Sequence, residues 1–368
     1  MAVYFENCKI NGYRSLDNFE LKELGDVNII VGDNNSGKTS ILEALNIVSN
    51  TGDFYSIVRT ARERERAVQF SRLESTVWES FINIFNRNSE ELFFDITCDT
   101  NRGRVSSKLQ GNIENVLHDV SEDWVYREYE RNSNDAETTL EEMEGFLGEY
   151  EYHFPTRRTK NSNDIHNVEN VEFFQSTRIL GRGRKDKYIN CKYLSAADYL
   201  FGRHFANIIK DKQLLIRVIK MLQKFDQDIT DLRIFDENGR IVQMVEKKSM
   251  GYMPISSYGD GVKRVIAFVS SIASAENGVL LIDEIETGIH SKAMEKVFKF
   301  VVELCMEYHI QLFLTTHSEE ALKKLIHVDN NECNMRVITL IKKEKTLVRN
   351  LSRERALRAI EEYGQELR

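Results

Sequence analysis

Short apolar runs and amphipathic stripes divide the chain into predicted strands and helices. The apolar or alternating runs predict strands at residues 3–10, 27–31, 92–97, 278–282 and 311–315. Apolar residues at helical spacing, or a charged helical pattern, predict helices at residues 41–48, 60–85 and 214–225. This pattern is clear towards both ends of the chain and is lost in the middle.

The middle of the chain, residues 101–169, is polar and charge-rich, and acidic residues crowd residues 141–151. We interpret it as a charged, mainly helical insertion or lid, although an ordinary solvated face would have the same composition. The predicted organisation is therefore one domain made of residues 1–100 and 170–368, with the insertion between its two parts.

Composition excludes some classes of protein. The 368-residue chain is 41% hydrophobic, which is enough for a sizeable core, and its formal net charge of -8 gives no global attraction to nucleic acid. No basic start precedes a long apolar stretch, and no apolar run reaches the ~18 residues of a membrane span. The cysteines are scattered, so we expect free thiols in a cytoplasmic protein without membrane contact.

The most informative motif is the G-x-x-x-x-G-K-T sequence between the strand at 27–31 and the following helix. In that context it predicts a phosphate-binding P-loop, whereas a chance glycine-rich turn would lack both flanks. Lys38 is expected to reach the β- and γ-phosphates, and the Thr39 hydroxyl to ligate Mg²⁺. The predicted nucleotide contacts are Gly32, Asn34, Asn35, Ser36, Gly37, Lys38, Thr39 and Ser40.

Two further predicted strands are followed by acidic residues or a histidine, which could bind Mg²⁺ or act on ATP. Asp283 and Glu284 follow the apolar run at 278–282, which is the Walker B pattern. If that strand lies parallel to and beside the P-loop strand, Asp283 holds Mg²⁺ and Glu284 polarises the attacking water. A solvated turn is the alternative. His317 follows the strand at 311–315 and is expected to contact the γ-phosphate, unless it is simply structural.

A serine- and glycine-rich loop, residues 257–261, precedes a predicted helix that starts at Val262. Such a loop at a helix N-terminus is a second anion-binding device. One triphosphate on one P-loop does not need two of them. We therefore expect this loop to meet the nucleotide bound by another subunit.

The order of P-loop, serine–glycine loop, D-E strand and strand-ending histidine resembles ABC-type ATPase heads. These include the SMC proteins, RecF and the overcoming-lysogenization-defect (OLD) family. The motifs S-x-G-D-G-x-K-R, I-D-E-I-E-x-G-x-H and T-T-H-S are most similar to short AAA-family ATP-binding proteins of bacterial anti-phage operons. The resemblance covers roughly residues 1–50 and 170–368. It implies an α/β P-loop NTPase with an ABC-type head, that is, a mixed central sheet and a helical subdomain.

The resemblance also implies an ATP sandwich, in which two heads bury two nucleotides. The residues that would complete the opposing site are Ser257, Gly259, Asp260 and Gly261. Arg14, in the sequence G-Y-R-S, resembles an arginine that touches nucleotide phosphate in repair ATPases, and an ordinary surface arginine is the alternative. The short stretch after His317 leads us to expect no Toprim nuclease domain.

These features predict an ATP-hydrolysing sensor or regulatory subunit of a prokaryotic anti-phage defence system. It would use ATP and Mg²⁺, form at least a homodimer and control a separate effector, such as a nuclease or toxin from the same operon. A RecF-like DNA-repair ATPase and an ATP-dependent scaffold with little turnover are the alternatives. The basic run at residues 178–187 predicts a docking surface, for protein more than for nucleic acid, or else a solvated loop.

Overall fold

The fold is described from a computed structural model of the whole chain. The structure describes residues 3–65, 76–86, 91–119, 140–155, 164–177, 188–200, 204–237, 240–328, 333–342 and 346–367. The chain forms two compact units. We call them the mixed-sheet unit (Met1–Tyr4, Glu23–Leu42, Ile189–Arg368) and the antiparallel unit (Phe5–Lys22, Glu43–Tyr188).

The elements of the described residues are numbered in chain order. The strands are β1 (Phe5–Asn11), β2 (Phe19–Leu21), β3 (Val27–Gly32), β4 (Leu92–Thr100), β5 (Gly103–Asp119), β6 (Leu140–Phe154), β7 (Ile165–Phe174), β8 (Cys191–Leu194), β9 (Ile229–Glu237), β10 (Arg240–Lys247), β11 (Gly251–Pro254), β12 (Val279–Ile282), β13 (Gln311–Thr316), β14 (Met335–Lys342) and β15 (Thr346–Ser352). The α-helices are α1 (Lys38–Ser49), α2 (Phe54–Arg62), α3 (Val77–Ile82), α4 (Phe205–Lys210), α5 (Lys212–Leu222), α6 (Asp260–Ser274), α7 (Ser291–Glu307), α8 (Glu319–Ile326) and α9 (Arg353–Glu361).

A six-stranded sheet organises the mixed-sheet unit, in the order β15-β14-β3-β13-β12-β8. All neighbouring pairs are parallel except β14 with β15. Every residue of β3, β12 and β13 is buried, as expected for parallel strands covered on both faces. The α/β fold class predicted from the sequence is thus confirmed. A second sheet, β11-β10-β9, belongs to the same unit.

The predicted neighbourhood of the P-loop strand was wrong in one respect. We expected the Walker B strand β12 beside β3, but β13 lies between them and pairs with both. Because all three strands are parallel, their carboxyl ends still meet at one edge of the sheet. The predicted site therefore forms from the residues that follow the three strands, although β12 and β3 are not neighbours.

The antiparallel unit is built on a sheet in the order β2-β1-β4-β5-β6-β7, in which all pairs are antiparallel. Helices α2 and α3 supply aromatic side chains to its core. Phe81 packs against Phe146 and Phe173, with ring centroids 5.2 Å and 4.8 Å apart, and Trp78 stacks on Phe173 at 6.1 Å. These large rings supply much of the apolar area that holds the sheet and the helices together.

The prediction of a mainly helical insertion was wrong for its described part. Residues 103–119, 140–154 and 165–174 form β5, β6 and β7 instead. In β6, Phe146, Tyr150 and Tyr152 are buried, while Glu149 between them is exposed. This is the period of two that a strand requires, and the density of acidic residues concealed it. Strands β1, β2 and β4 belong to the same unit, so the observed division differs from the predicted boundary at residue 101.

The expectation of free thiols also fails at one pair of cysteines. Cys8 and Cys98 lie opposite each other on β1 and β4 and are joined by a disulfide. Their separation of 90 residues hides this pairing from the sequence. Among the described residues, no helix is both long enough and apolar enough to cross a membrane.

Candidate functional site

The predicted P-loop joins β3 to α1 in the mixed-sheet unit. Gly32 and Gly37 have φ values of +152° and +100°, and Asn35 has +61°, so the loop turns through conformations that favour glycine and asparagine. A Cβ on Gly32 would lie 2.6 Å from the carbonyl oxygen of Leu340, which excludes a side chain there. The Ser36 hydroxyl is buried and has no hydrogen-bond partner among the described residues.

Lys38 begins α1 and turns back over the loop. Its Nζ donates to the carbonyl oxygens of Gly32 and Asp33, at 2.7 Å and 2.8 Å. Burial lowers the pKa of Lys38, and the nearby carboxylates of Asp283 and Glu284 act in the opposite direction. The structure therefore places the predicted P-loop cation and the predicted Walker B acids in one electrostatic environment.

Asp283 follows β12 and is held by hydroxyl donors. The Thr39 hydroxyl donates to its two carboxylate oxygens, at 3.2 Å and 3.0 Å. The Thr315 hydroxyl, near the end of β13, donates to Oδ1 at 2.5 Å. With 8% of its surface exposed, Asp283 has its orientation fixed before any ligand binds.

Glu284 has a strained backbone, with a φ of +47°. For a non-glycine residue this left-handed conformation costs about 1–3 kcal/mol and is found mostly at functional sites. Its N–H donates to the Thr315 hydroxyl at 2.9 Å, and its Oε2 accepts from the Thr287 hydroxyl at 3.1 Å. The carboxylate remains partly exposed, where a water molecule can reach it.

His317 lies between two carboxylates. Its Nδ1 is 3.3 Å from Oε1 of Glu286 and 3.8 Å from Oε1 of Glu284. The same Oε1 of Glu286 accepts the backbone N–H of His317 at 3.1 Å. Glu286 is 8% exposed, and its Oε2 has no partner among the described residues. The sequence analysis did not assign a role to Glu286. In the sequence I-D-E-I-E this residue stands two positions after Glu284.

Arg264 is a second residue that the sequence analysis missed. It lies on α6 and is fully buried. Its Nη2 donates to the carbonyl oxygens of Asp283 and Glu284, at 2.9 Å and 3.0 Å. Its Nη1 donates to those of Ser195 and Ala196, at 3.1 Å and 3.3 Å. In the sequence it looks like one of two adjacent basic residues on a helix surface, and only the fold reveals its burial.

The residues of the serine–glycine loop lie at the start of α6, which begins at Asp260, two residues before the predicted start. Ser257, Gly259 and Asp260 are exposed. Gly259 precedes the helix with a φ of -66°, and a Cβ there would meet nothing within 4 Å. A Cβ on Gly261 would lie 3.0 Å from the Phe225 ring. Gly259 therefore tolerates a side chain more easily than Gly261.

Arg14 lies in the antiparallel unit, in a buried charge cluster. It donates to both carboxylate oxygens of Glu43, at 2.7 Å and 3.3 Å, and to the carbonyl oxygen of Asn83. Arg64 and the Tyr13 hydroxyl donate to the same carboxylate. Burial is the largest influence on the pKa of Arg14 and acts to lower it, but the Glu43 carboxylate and Tyr13, through charge and hydrogen bonds together, raise the pKa overall. The predicted contact of Arg14 with nucleotide remains a prediction.

These residues fit ATP and Mg²⁺. The Thr39 hydroxyl and the Asp283 carboxylate are hard oxygen ligands, which Mg²⁺ prefers. The buried Ser36 hydroxyl lacks a partner that a phosphate oxygen would provide, and Lys38 supplies positive charge at the same loop. Ser40 is buried on α1, whereas Asn34 and Asn35 are exposed.

The predicted docking surface at residues 178–187 lies outside the described residues. Within the described part of the chain, the predicted P-loop, Walker B and histidine residues lie at the ends of β3, β12 and β13 and at the start of α1, and the serine–glycine loop lies at the start of α6.

Comparison with known proteins gives a family and several relatives. A family model described as "AAA domain, putative AbiEii toxin, Type IV TA system" matches residues 27–323. An ATP/GTP phosphatase of Helicobacter pylori (strain ATCC 700392 / 26695) is 23% identical over 345 residues, 88% of each chain. The DNA replication and repair protein RecF of Bacillus subtilis (strain 168) is 38% identical over 47 residues, 13% of each chain.

Solved structures of SMC heads are also similar. One, bound to the C-winged helix domain of ScpA, has a TM-score of 0.48 at 14% identity, with 96% of this chain and 99% of that chain covered. The SMC head domain from Thermotoga maritima has a TM-score of 0.44 at 11% identity, with 95% and 99% covered.

Proposed function

Since the chain belongs to the family described as "AAA domain, putative AbiEii toxin, Type IV TA system", we propose that it dimerises around ATP and controls a separate effector protein in a prokaryotic anti-phage defence system. The chain is an ATPase of the SMC- and RecF-like class, with an ABC-type head. The dimer, the effector and the defence role go beyond that activity.

Hydrolysis would be carried out by the residues at the ends of β3, β12 and β13. Lys38 and the Ser36 hydroxyl bind phosphate oxygens. Thr39 and Asp283 would hold Mg²⁺, which would supply positive charge beside the phosphates. Glu284 accepts the proton of the attacking water, since its carboxylate is accessible while its backbone is held on both sides.

His317 is suited to contact the γ-phosphate. Glu286 accepts its backbone N–H and faces Nδ1, which leaves Nε2 as the outward nitrogen of the ring. A histidine held in this way presents Nε2 in a fixed direction, and this nitrogen donates a hydrogen bond when both ring nitrogens carry a proton. It would therefore report the presence or absence of the γ-phosphate to the end of β13.

The observation that carries the dimer is the exposed loop before α6. Ser257 and Gly259 are exposed, with open space beside Gly259, at the N-terminus of a 15-residue helix. Unpaired N–H groups and the positive dipole end of such a helix attract a phosphate. The P-loop at α1 already supplies one phosphate site, so the α6 site is available to a nucleotide carried by a second copy of the chain.

Dimerisation is tested with Glu284→Gln, which should bind ATP and hydrolyse it slowly. Its mass in solution should double on addition of ATP and Mg²⁺. Gly259→Arg in the same background should stay monomeric, because the new side chain occupies the phosphate position without a clash inside its own chain. Gly259→Ser is the matched control, since serine is favoured before a helix. An ATP-dependent dimer of Gly259→Arg would contradict the sandwich.

Effector control is tested by co-expression with the products of the neighbouring genes. If ATP hydrolysis releases an effector, the Glu284→Gln protein should retain its partner in the presence of ATP and the normal chain should lose it. If the partner binds equally well with and without ATP, the proposed regulatory role is rejected. If none of the neighbouring gene products binds, the proposal of a separate effector is rejected.

A RecF-like role in DNA repair is the second candidate, because 47 residues of the chain are 38% identical to the Bacillus subtilis protein. It requires ATP-dependent binding to gapped DNA, and the affinity should fall steeply with salt because phosphate contacts release counterions. A third candidate, an assembly scaffold, requires tight ATP binding with negligible turnover by the normal chain. Turnover and DNA-binding measurements on one preparation therefore distinguish the three.

A further inference from the structure

Arg264 connects α6 to the end of the Walker B strand. It lies five residues after Gly259, on the first turns of the helix that the serine–glycine loop begins. Its guanidinium spans two pairs of carbonyl oxygens, one pair at Ser195 and Ala196 and the other at Asp283 and Glu284. A planar fork of donors suits this task, and a lysine ammonium does not.

The surroundings of Arg264 are unusual for a charged side chain. It has no exposed surface and lies over the rings of Tyr199 and Phe268, at 5.4 Å and 4.9 Å from their centroids. Burial lowers its pKa to about 10, so it remains charged at neutral pH. Taking a guanidinium out of water is costly, and carbonyl dipoles and aromatic faces compensate for the lost hydration.

The peptide that Arg264 holds is the strained one. Glu284 has its left-handed φ of +47° because both of its backbone groups are fixed. Thr315 accepts its N–H, and Arg264 donates to its carbonyl oxygen. The direction of the Glu284 carboxylate follows from this backbone conformation. If either contact is lost, the strain favours return to an ordinary conformation and the carboxylate changes direction.

We propose that Arg264 is a positioning residue through which α6 controls the catalytic carboxylate of its own chain. The inference rests on the proposed dimer for its regulatory part. The start of α6 would complete the nucleotide site of the second subunit. Arg264, on the same helix, holds Glu284 in the first. Binding of the serine–glycine loop to the nucleotide of the second subunit would thereby change the rate of hydrolysis in the first.

The single variants give the first test. Arg264→Lys keeps the charge and loses the fork, so its turnover should fall about 100-fold, as expected for a misplaced catalytic group. ATP affinity should stay near normal, because no P-loop contact changes. Unchanged turnover would overturn the proposal.

Mixed dimers give the second test. A variant with a general structural defect would not show rescue by one partner and no rescue by another. Arg264→Lys mixed with Gly259→Arg should regain activity. The Gly259→Arg subunit keeps its own Glu284 and receives an intact loop from its partner. An equal mixture should reach at most about one half of normal turnover, since each mixed dimer has one working site of two. Arg264→Lys mixed with Lys38→Ala should stay inactive, because the only intact P-loop belongs to the subunit whose Glu284 is misplaced.

The opposite pattern overturns the proposal. Rescue by Lys38→Ala but not by Gly259→Arg would mean that Arg264 acts on the partner's site through the loop. Rescue by neither would mean that Arg264 supports both functions and has no specific link to Glu284. The mixture of Lys38→Ala with Gly259→Arg tests the sandwich itself. If that control fails, the dimer is rejected, and the single-variant turnover still decides whether Arg264 positions Glu284.

A second pair of variants covers the case in which Arg264→Lys does not fold. Thr315→Val removes the acceptor of the Glu284 N–H together with the hydroxyl that donates to Asp283, and Thr315→Ser keeps both. Thr315→Val should show the same rescue pattern as expected for Arg264→Lys, and Thr315→Ser should behave as the normal chain. Normal activity of Thr315→Val would show that the left-handed peptide of Glu284 does not need to be held, which overturns the proposal.

Discussion

The Thr39 hydroxyl donates to both carboxylate oxygens of Asp283, at 3.2 Å and 3.0 Å, although 244 residues separate them in the chain. This contact joins the start of α1 to the end of β12. It brings together the two groups that the sequence analysis assigned independently to Mg²⁺.

Thr39→Val should weaken the use of Mg²⁺ because it keeps the shape of threonine and removes the oxygen. The Mg²⁺ concentration for half-maximal turnover should rise by about 10- to 100-fold. Thr39→Ser restores the oxygen and should stay near the normal value. A magnesium titration of ATP hydrolysis measures both. Equal magnesium dependence of the two variants would exclude the hydroxyl as a ligand.

Glu284→Gln should bind ATP normally and hydrolyse it about 10² to 10⁴ times more slowly, the usual contribution of a general base. Asp283 and the P-loop remain, so binding is kept. Radiolabelled ATP measures both quantities. Glu276→Gln changes an exposed carboxylate three residues before β12 and should have no effect. Near-normal turnover by Glu284→Gln would remove it as the catalytic base.

Glu286 should act only through His317. Glu286→Gln retains an oxygen for the His317 backbone N–H and should be mildly impaired, whereas Glu286→Ala should lose about 10- to 100-fold in turnover. In a double-mutant cycle, Glu286→Ala should add little to the loss caused by His317→Asn, because both changes remove one interaction. Additive losses would show that Glu286 has an independent role.

Glu43 should be essential for stability in the antiparallel unit. Its carboxylate is fully buried between Arg14 and Arg64. Glu43→Ala leaves two arginines facing each other and should lower the free energy of unfolding by about 3–5 kcal/mol. Chemical denaturation without nucleotide measures this. Glu20→Gln, at the exposed pair with Lys9, is the control and should leave the free energy of unfolding unchanged within error.

The parts of the site that could be predicted are those encoded locally. The P-loop, the D-E pair and His317 each follow a short apolar strand, and parallel strands bring their ends together whatever lies between them. Arg264 and Glu286 could not be found in this way. Arg264 acquires its role from contacts 19 and 69 residues away, and that of Glu286 depends on a histidine 31 residues away.

Strands β5, β6 and β7 of the antiparallel unit were missed for a different reason. Acidic residues are frequent in β6, but from its middle onwards Phe146, Tyr150 and Tyr152 still face an aromatic core that helices α2 and α3 complete. Periodicity should therefore outweigh composition when a charge-rich segment is interpreted. The pairing of Cys8 with Cys98 and the insertion of β13 beside β3 are properties of strand order, which short motifs do not encode.

Helix α1 carries the chain from one unit into the other. The division falls between Leu42 and Glu43, one turn after Thr39. A truncation that separates the two units must therefore end within α1. Such a truncated chain would lose ATP binding whether or not the antiparallel unit takes part in the chemistry. Genetic dissection of this protein is better made by loop replacement or point substitution than by truncation.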